Sequence, residues 1–154
     1  MDTRRALQLA LDPSLILTAQ RITPDPWQKK FLTADHRATL LCCSRGAGKS
    51  RTTSAKALHR AIFRPNSLVL LLSRSQRQSL ELFRYLREGY RAIGRPIGLS
   101  KETETQLEFT NASRVICLPG REETIRSYQG VSLLIIDEGA RVPDDLFRSV
   151  MPML

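Results

Sequence analysis

Residues 42–50 read CCSRGAGKS, and this stretch limits the fold more than any other. A short apolar run, ATLLCCS at 38–44, leads into it, and a helical pattern from Lys49 to about Phe63 leaves it. An apolar strand, a glycine-bearing loop and a helix form the arrangement in which backbone N–H groups converge on a phosphate at a helix N-terminus. The ending Gly48-Lys49-Ser50 matches the close of the pattern G-x-x-x-x-G-K-[ST], with Cys43 in place of its first glycine. Glycine matters most where the chain curls closest to the anion, and Gly46 and Gly48 are present for that. Cys43 lies where the strand enters the loop, and a side chain is tolerated there if φ stays negative. In this reading Gly46, Ala47, Gly48, Lys49, Ser50 and Arg51 bind the nucleotide. Lys49 reaches the β- and γ-phosphates and the Ser50 hydroxyl ligates Mg²⁺.

A second feature gives the loop a partner. VSLLIIDEGA at 131–140 is an apolar strand that ends in Asp137 and Glu138. Two adjacent acids at the end of a buried strand are costly unless they face cations or water. Beside a phosphate loop, Asp137 can hold the Mg²⁺ shell and Glu138 can orient and deprotonate an attacking water. The bland alternative is a strand end with two solvated acids.

Other elements follow from pattern. Residues 4–11 and 14–20 form short amphipathic helices split by Asp12-Pro13, and a helix from about Pro26 carries Trp27, Phe31 and Leu32. The run 38–44 is expected as a buried strand, SLVLLLS at 67–73 as a second and 131–140 as a third. A helix from about Gln76 to Ile93 has Leu82, Leu86, Tyr90 and Ile93 on one face, and Arg77, Arg84, Arg87 and Arg91 on the other. Residues 106–120 alternate around an Asn-containing turn and predict a β-hairpin, and VPDDLFRSV restarts a helix at Pro143. This order implies an α/β layered fold with a mainly parallel sheet and helical crossovers.

The 154 residues suit one domain, and ordinary apolar content excludes a disordered chain. Lys and Arg number 24 against 15 Asp and Glu, a net charge of +9 carried mostly by arginine. That balance favours a polyanionic partner, nucleic acid above all, and a solvated basic surface is the competing explanation. The arginine-bearing helix face is open to the same two readings, a DNA-backbone contact or a solvated surface. Cys42, Cys43 and Cys117 make neither a zinc pattern nor a disulfide framework, which fits a reducing cytoplasm, and Cys42 and Cys43 are expected as buried small apolar residues. No stretch is long enough to span a bilayer. Gln28 can pair with the donor and acceptor edge of adenine, or simply sit on a helix surface. Trp27 is either a core anchor or a base-stacking platform. Arg45, inside the loop, and Arg126, before the acidic strand, can each bring positive charge to a γ-phosphate.

Taken in order, ALDPSLIL, PDPWQKKFL, CSRGAGKS, LLLSRSQRQSLELF, LEFTNASRVICLPG, TIRSYQG and LLIIDEGARV resemble the ATPase domain of the large terminase subunit, the DNA-packaging motor of tailed bacteriophages. The resemblance runs from near residue 10 to the end. It implies a P-loop ATPase of the ASCE type, with an adenine-binding helical segment at 1–37 and the ATPase core at 38–154. It also implies that Gln28 contacts adenine, that Lys49 and Ser50 bind phosphates and Mg²⁺, and that Asp137 holds the metal. Glu138 is then the catalytic carboxylate, and Arg45 a candidate arginine finger or γ-phosphate sensor.

The partners implied are double-stranded DNA, a small terminase subunit, a portal protein and a ring of identical subunits, in the cytoplasm of a bacterial host. Three positions depart from the family pattern: Ser127 stands where a glycine is frequent, Gln129 where a serine or threonine is, and Gly139 where an alanine commonly follows the two acids. In such proteins a coupling motif and a nuclease domain lie beyond the position of Leu154, so the sequence is expected to be the amino-terminal piece of something larger. A superfamily 2 helicase fragment would usually continue the acidic pair as D-E-A-H or D-E-x-D, which DEGA does not match. An inactive relic that binds nucleotide or DNA without turnover is the remaining alternative.

Overall fold

The structure is a computed structural model and describes residues 2–73, 75–119, 128–145 and 148. In chain order the elements are helices α1 (Thr3–Leu11), α2 (Leu15–Ala19), α3 (Pro26–Thr33) and α4 (Lys49–Phe63), strand β1 (Leu68–Ser73), helix α5 (Gln76–Ala92), strands β2 (Leu99–Glu102), β3 (Gln106–Phe109), β4 (Arg114–Pro119) and β5 (Val131–Ile136), and a 3₁₀ turn at Gly139–Arg141. The strands form one sheet in the order β2-β3-β4-β1-β5. β1 pairs in parallel with both β4 and β5, whereas β3 runs antiparallel to β4 and to β2. The parallel pairing of β1 with β5 and the hairpin of β3 and β4 are as the sequence predicts, although residue 120 of the expected hairpin lies outside the described residues. β2 was not foreseen, because its LSKE stretch is short and mostly exposed and carries no apolar alternation.

β1 is buried throughout and apolar from Leu68 to Leu72 because both of its faces are covered, as expected for the central strand of a parallel sheet. Val69 and Leu71 join Leu107, Phe109, Val115, Cys117 and Ile135 on one face, against α2, α4 and α5. Leu68, Leu70 and Leu72 join Ile116, Leu118 and Val131 on the other. The anticipated α5 face is confirmed, with Leu82, Leu86, Tyr90 and Ile93 all buried. Fully burying each such side chain contributes about 1.5–3 kcal/mol. Burial also pushes the Cys117 thiol up to about 12, so it packs as an apolar group.

The expectation of a buried strand at 38–44 is overturned. That segment pairs with no strand among the described residues and is largely exposed, with Leu40 at 85% exposure. Cys42 is likewise exposed and Cys43 only half-buried, which corrects their expected burial. The physical reason is the missing ladder. Residues 36–42 face β5 across a hollow of about 580 Å³ instead of hydrogen-bonding to it. An apolar run becomes a strand only when a neighbour takes its N–H and C=O groups. The helix expected from Pro143 begins with Asp144 and Asp145, and most of its remainder lies outside the described residues, as do residues 120–127 with Arg126.

A candidate nucleotide-binding site

The first turn of α4 breaks a local electrostatic rule. It has no acidic residue and instead carries Lys49 and Arg51 at the positive end of the helix dipole. A bound anion relieves that arrangement. Gly48 caps the helix in the left-handed region at φ 78°, and Gly46 adopts φ 83° one turn of loop earlier. Both therefore use the freedom that only glycine has without strain. Cys43 is not among the residues with positive φ, so the loop turns without a glycine there.

Three consecutive side chains of α4 fan out in different directions, as the 100° step of a helix requires. Lys49 Nζ donates to the carbonyls of Cys43 at 2.9 Å and Ser44 at 2.7 Å, drawing the loop entrance over its ammonium. Ser50 Oγ donates to Asp137 Oδ2 at 3.0 Å. Arg51 turns towards α2 and α5, where its guanidinium donates to Gln20 Oε1 at 2.7 Å and to Glu88 Oε2 at 2.9 Å.

The carboxyl end of β5 meets the loop because Asp137 N–H still donates to Leu72 O at 2.9 Å and extends the ladder by one bond. Beyond it, Glu138 takes φ 53°, a conformation that costs a non-glycine residue about 1–2 kcal/mol. Such strain tends to collect where a side chain must point a particular way. Here the Glu138 side chain is partly exposed, and Arg141 Nη1 lies 4.0 Å from its Oε2.

These groups line a cleft of about 510 Å³ at the carboxyl edge of the sheet, the usual place for a ligand in an open α/β fold. Arg45, Gly46, Gly48, Lys49, Ser50, Asp137 and Glu138 line it together with Leu17, Ile22, Gln28, Arg51 and Tyr85. Ala47 belongs to the same loop without lining the cleft, and Trp27 is half-buried on α3 and does not line it either. Among the described residues no cluster of three His, Cys, Asp or Glu side chains is placed to hold a metal. A hydroxyl and a carboxylate nonetheless suit Mg²⁺, which binds oxygen and keeps much of its shell as water and phosphate. The 3.0 Å between Ser50 Oγ and Asp137 Oδ2 is the separation of neighbouring ligands on an octahedron with bonds of about 2.1 Å.

Gln28 is buried at 5% exposure with its amide held at both ends. Its Oε1 accepts the Asp25 N–H at 2.8 Å, the return half of a capping box, and its Nε2 donates to Thr52 Oγ1 at 2.9 Å. Thr52 in turn donates to Gly48 O at 2.9 Å, so α3 and the loop are tied through these two side chains. Of the arginine face on α5, Arg84 pairs with Glu81 and Glu88, and Arg87 with Glu102 and the Thr103 carbonyl. Thr52, Gln20, Tyr85 and Glu88 were not singled out in the sequence. Gln20 and Glu88 meet Arg51 only through the packing of α2 and α5, which no local spacing announces.

The fold is similar to that of the large terminase ATPase domain of Thermus phage P74-26, with a TM-score of 0.75 and 18% identity, covering 94% of this chain and 65% of that one. A mutant of the same domain gives a TM-score of 0.75 at 19% identity, covering 94% and 66%. The chain thus spans about two thirds of the length of those chains. No curated protein sequence matches it. Among the described residues, no helix is long and apolar enough to cross a membrane. The sequence profile described as "Terminase large subunit, T4likevirus-type, N-terminal" matches residues 40–151, well over half of the chain, which therefore belongs to that family.

Proposed function

We propose that the chain binds and hydrolyses Mg-ATP in this cleft, as the ATPase part of a large terminase subunit that drives double-stranded DNA into a procapsid. The observation that carries the reading is the Ser50–Asp137 contact, which joins the phosphate loop to the acidic strand end around one space. Family membership supports it independently. In this reading residues 38–154 supply the phosphate end, and residues 1–37 close the base end with Leu17, Ile22 and Gln28.

Mg²⁺, held by Ser50 and Asp137, would neutralise charge on the phosphate oxygens. Lys49 exchanges the Cys43 and Ser44 carbonyls for β- and γ-phosphate oxygens. The N–H groups of the loop at Gly46–Gly48 cradle the phosphates. Glu138 accepts a proton from the attacking water, and Arg45, exposed on the loop, adds positive charge as the transition state develops. The motor would act as a ring of identical subunits on a portal protein, with a small terminase subunit as a further partner, in the cytoplasm of a bacterial host.

The test is phosphate release with and without double-stranded DNA for the wild type, Lys49→Ala and Glu138→Gln. Turnover lost in both variants, with nucleotide binding lost only in Lys49→Ala, is the expected result. Turnover that persists in Glu138→Gln removes the assigned base.

A further inference from the structure

We infer that the outer face of α1 and the groove beside it form a docking surface for an acidic amphipathic helix of another protein. The surface begins on α1, where Arg4, Leu7 and Leu11 stand at i, i+3 and i+7 and so share one face. Of the three leucines in that helix only Leu9 is buried. Leu7 is 60% exposed and Leu11 74%, and residues at this spacing are neighbours on a helix surface. An apolar side chain left singly on a surface needs no explanation, but a contiguous patch does. Leu11 also lines a groove of about 420 Å³ between α1, the end of α3 and α4, with Ala10, Leu32 and Phe63 among its walls. The apolar strip therefore runs from an exposed helix face into a concavity, the shape that takes the side chains of an amphipathic helix. The groove shares no lining residue with the nucleotide cleft, so the inference does not depend on the reading of that site.

Charge decides the occupant. Arg60 and Arg64 border the groove on α4, and Arg4 and Arg5 stand exposed on the first turn of α1. Among the described residues Asp35 is the one carboxylate in the lining, and Arg60 at 3.5 Å and Arg64 at 3.4 Å share it. Both distances are long for charge-assisted bonds, and the Arg64 side chain stays 59% exposed. A helix with Leu along one edge and Glu beside it would match the apolar strip and its basic border together. Double-stranded DNA matches the surface less well, because a phosphate backbone offers nothing to Leu7, Leu11 and Phe63. The third cation of the groove is also unavailable to phosphate. Lys56 Nζ donates to the carbonyls of Phe31, Leu32 and Ala34 at 2.9, 3.3 and 2.6 Å.

Fluorescence anisotropy with a labelled synthetic peptide of about 18 residues, long enough to hold a helix, tests this. The peptide carries Leu at i, i+4 and i+7 with Glu beside them; its controls are a scrambled sequence and a version with Lys for Glu. The wild type should bind the acidic peptide roughly tenfold or more tightly than either control. Leu7→Ser with Leu11→Ser should remove that preference and leave the melting temperature unchanged, since both side chains are already solvated. Arg4→Glu with Arg64→Glu should lose the acidic peptide and gain the Lys peptide, a reversal that altered packing alone would not produce. Equal binding of the acidic and scrambled peptides, or wild-type affinity in both variants, would overturn the inference. So would a double-stranded oligonucleotide that displaces the peptide and still binds the Leu7→Ser, Leu11→Ser chain, which would make the face a phosphate contact. A concentration-dependent dimer that this same variant loses would also overturn it, because the occupant would then be a second copy.

Discussion

Ser50 and Asp137, 87 residues apart in the chain, meet in a 3.0 Å hydrogen bond between the start of α4 and the end of β5. The contact joins the two halves of the phosphate end, and it makes a prediction that depends on magnesium. Ser50→Ala should weaken ATP binding roughly tenfold in the presence of Mg²⁺, about 1.4 kcal/mol. In EDTA, affinity should be the same as in the wild type, because the hydroxyl acts only through the ion. Titration calorimetry under both conditions checks this, and an equal loss in EDTA would show that Ser50 merely shapes the loop.

Glu138→Gln should separate binding from chemistry. The amide keeps the shape and the φ of 53° but cannot accept the proton of a water. Loss of a general base costs on the order of 10²- to 10⁴-fold in rate. We expect turnover to fall by that amount, ATP affinity to stay within about twofold of the wild type, and the melting temperature to hold, since the side chain is partly exposed and anchors no buried contact. A comparable drop in affinity would mean that Glu138 organises the site rather than acting on water.

Gly48 and Gly46 should respond differently to alanine. Both have positive φ, so each substitution carries strain of about 1–2 kcal/mol. A Cβ on Gly46 would meet nothing within 4 Å, but one on Gly48 would stand 3.0 Å from Gln28 Nε2. Gly48→Ala must therefore also disturb the amide that ties α3 to the loop. Denaturant midpoints should fall in both variants and further in Gly48→Ala, with a greater loss of nucleotide affinity there. Equal effects would show that Gln28 yields without consequence.

Much of this was legible in the sequence because the signals are local. The Gly48-Lys49-Ser50 ending, the apolar run before Asp137 and the 3.6-residue spacing of Leu82, Leu86 and Tyr90 each lie within one element. What escaped is non-local. The apolar run at 38–44 has strand composition, yet among the described residues no strand pairs with it across the hollow beside β5. The role of Gln28 as a link between α3 and Thr52, and that of Arg51 as a cation backed by Tyr85, depend on how α2, α3 and α5 pack around α4. Periodicity gives the faces of those helices but not which polar side chains will meet.

His59 makes the stability of the N-terminal helices depend on pH. From α4 its Nε2 lies 3.2 Å from Leu9 O and 3.1 Å from Ala10 O, so the neutral ring carries its proton on Nε2 and caps the end of α1. Burial holds its pKa below the usual value of 6.5, a direction that the nearby Lys56 and Arg60 charges reinforce against the two carbonyls. The unfolded chain therefore binds the proton more readily than the fold does. Stability from this group is complete above about pH 6.5 and is lost as pH falls through the lowered folded value. Melting curves from pH 7.5 down to 5 should show a steeper decline for the wild type than for His59→Gln, whose amide keeps a donor but does not titrate. Parallel curves for the two proteins would mean that the acid sensitivity resides elsewhere.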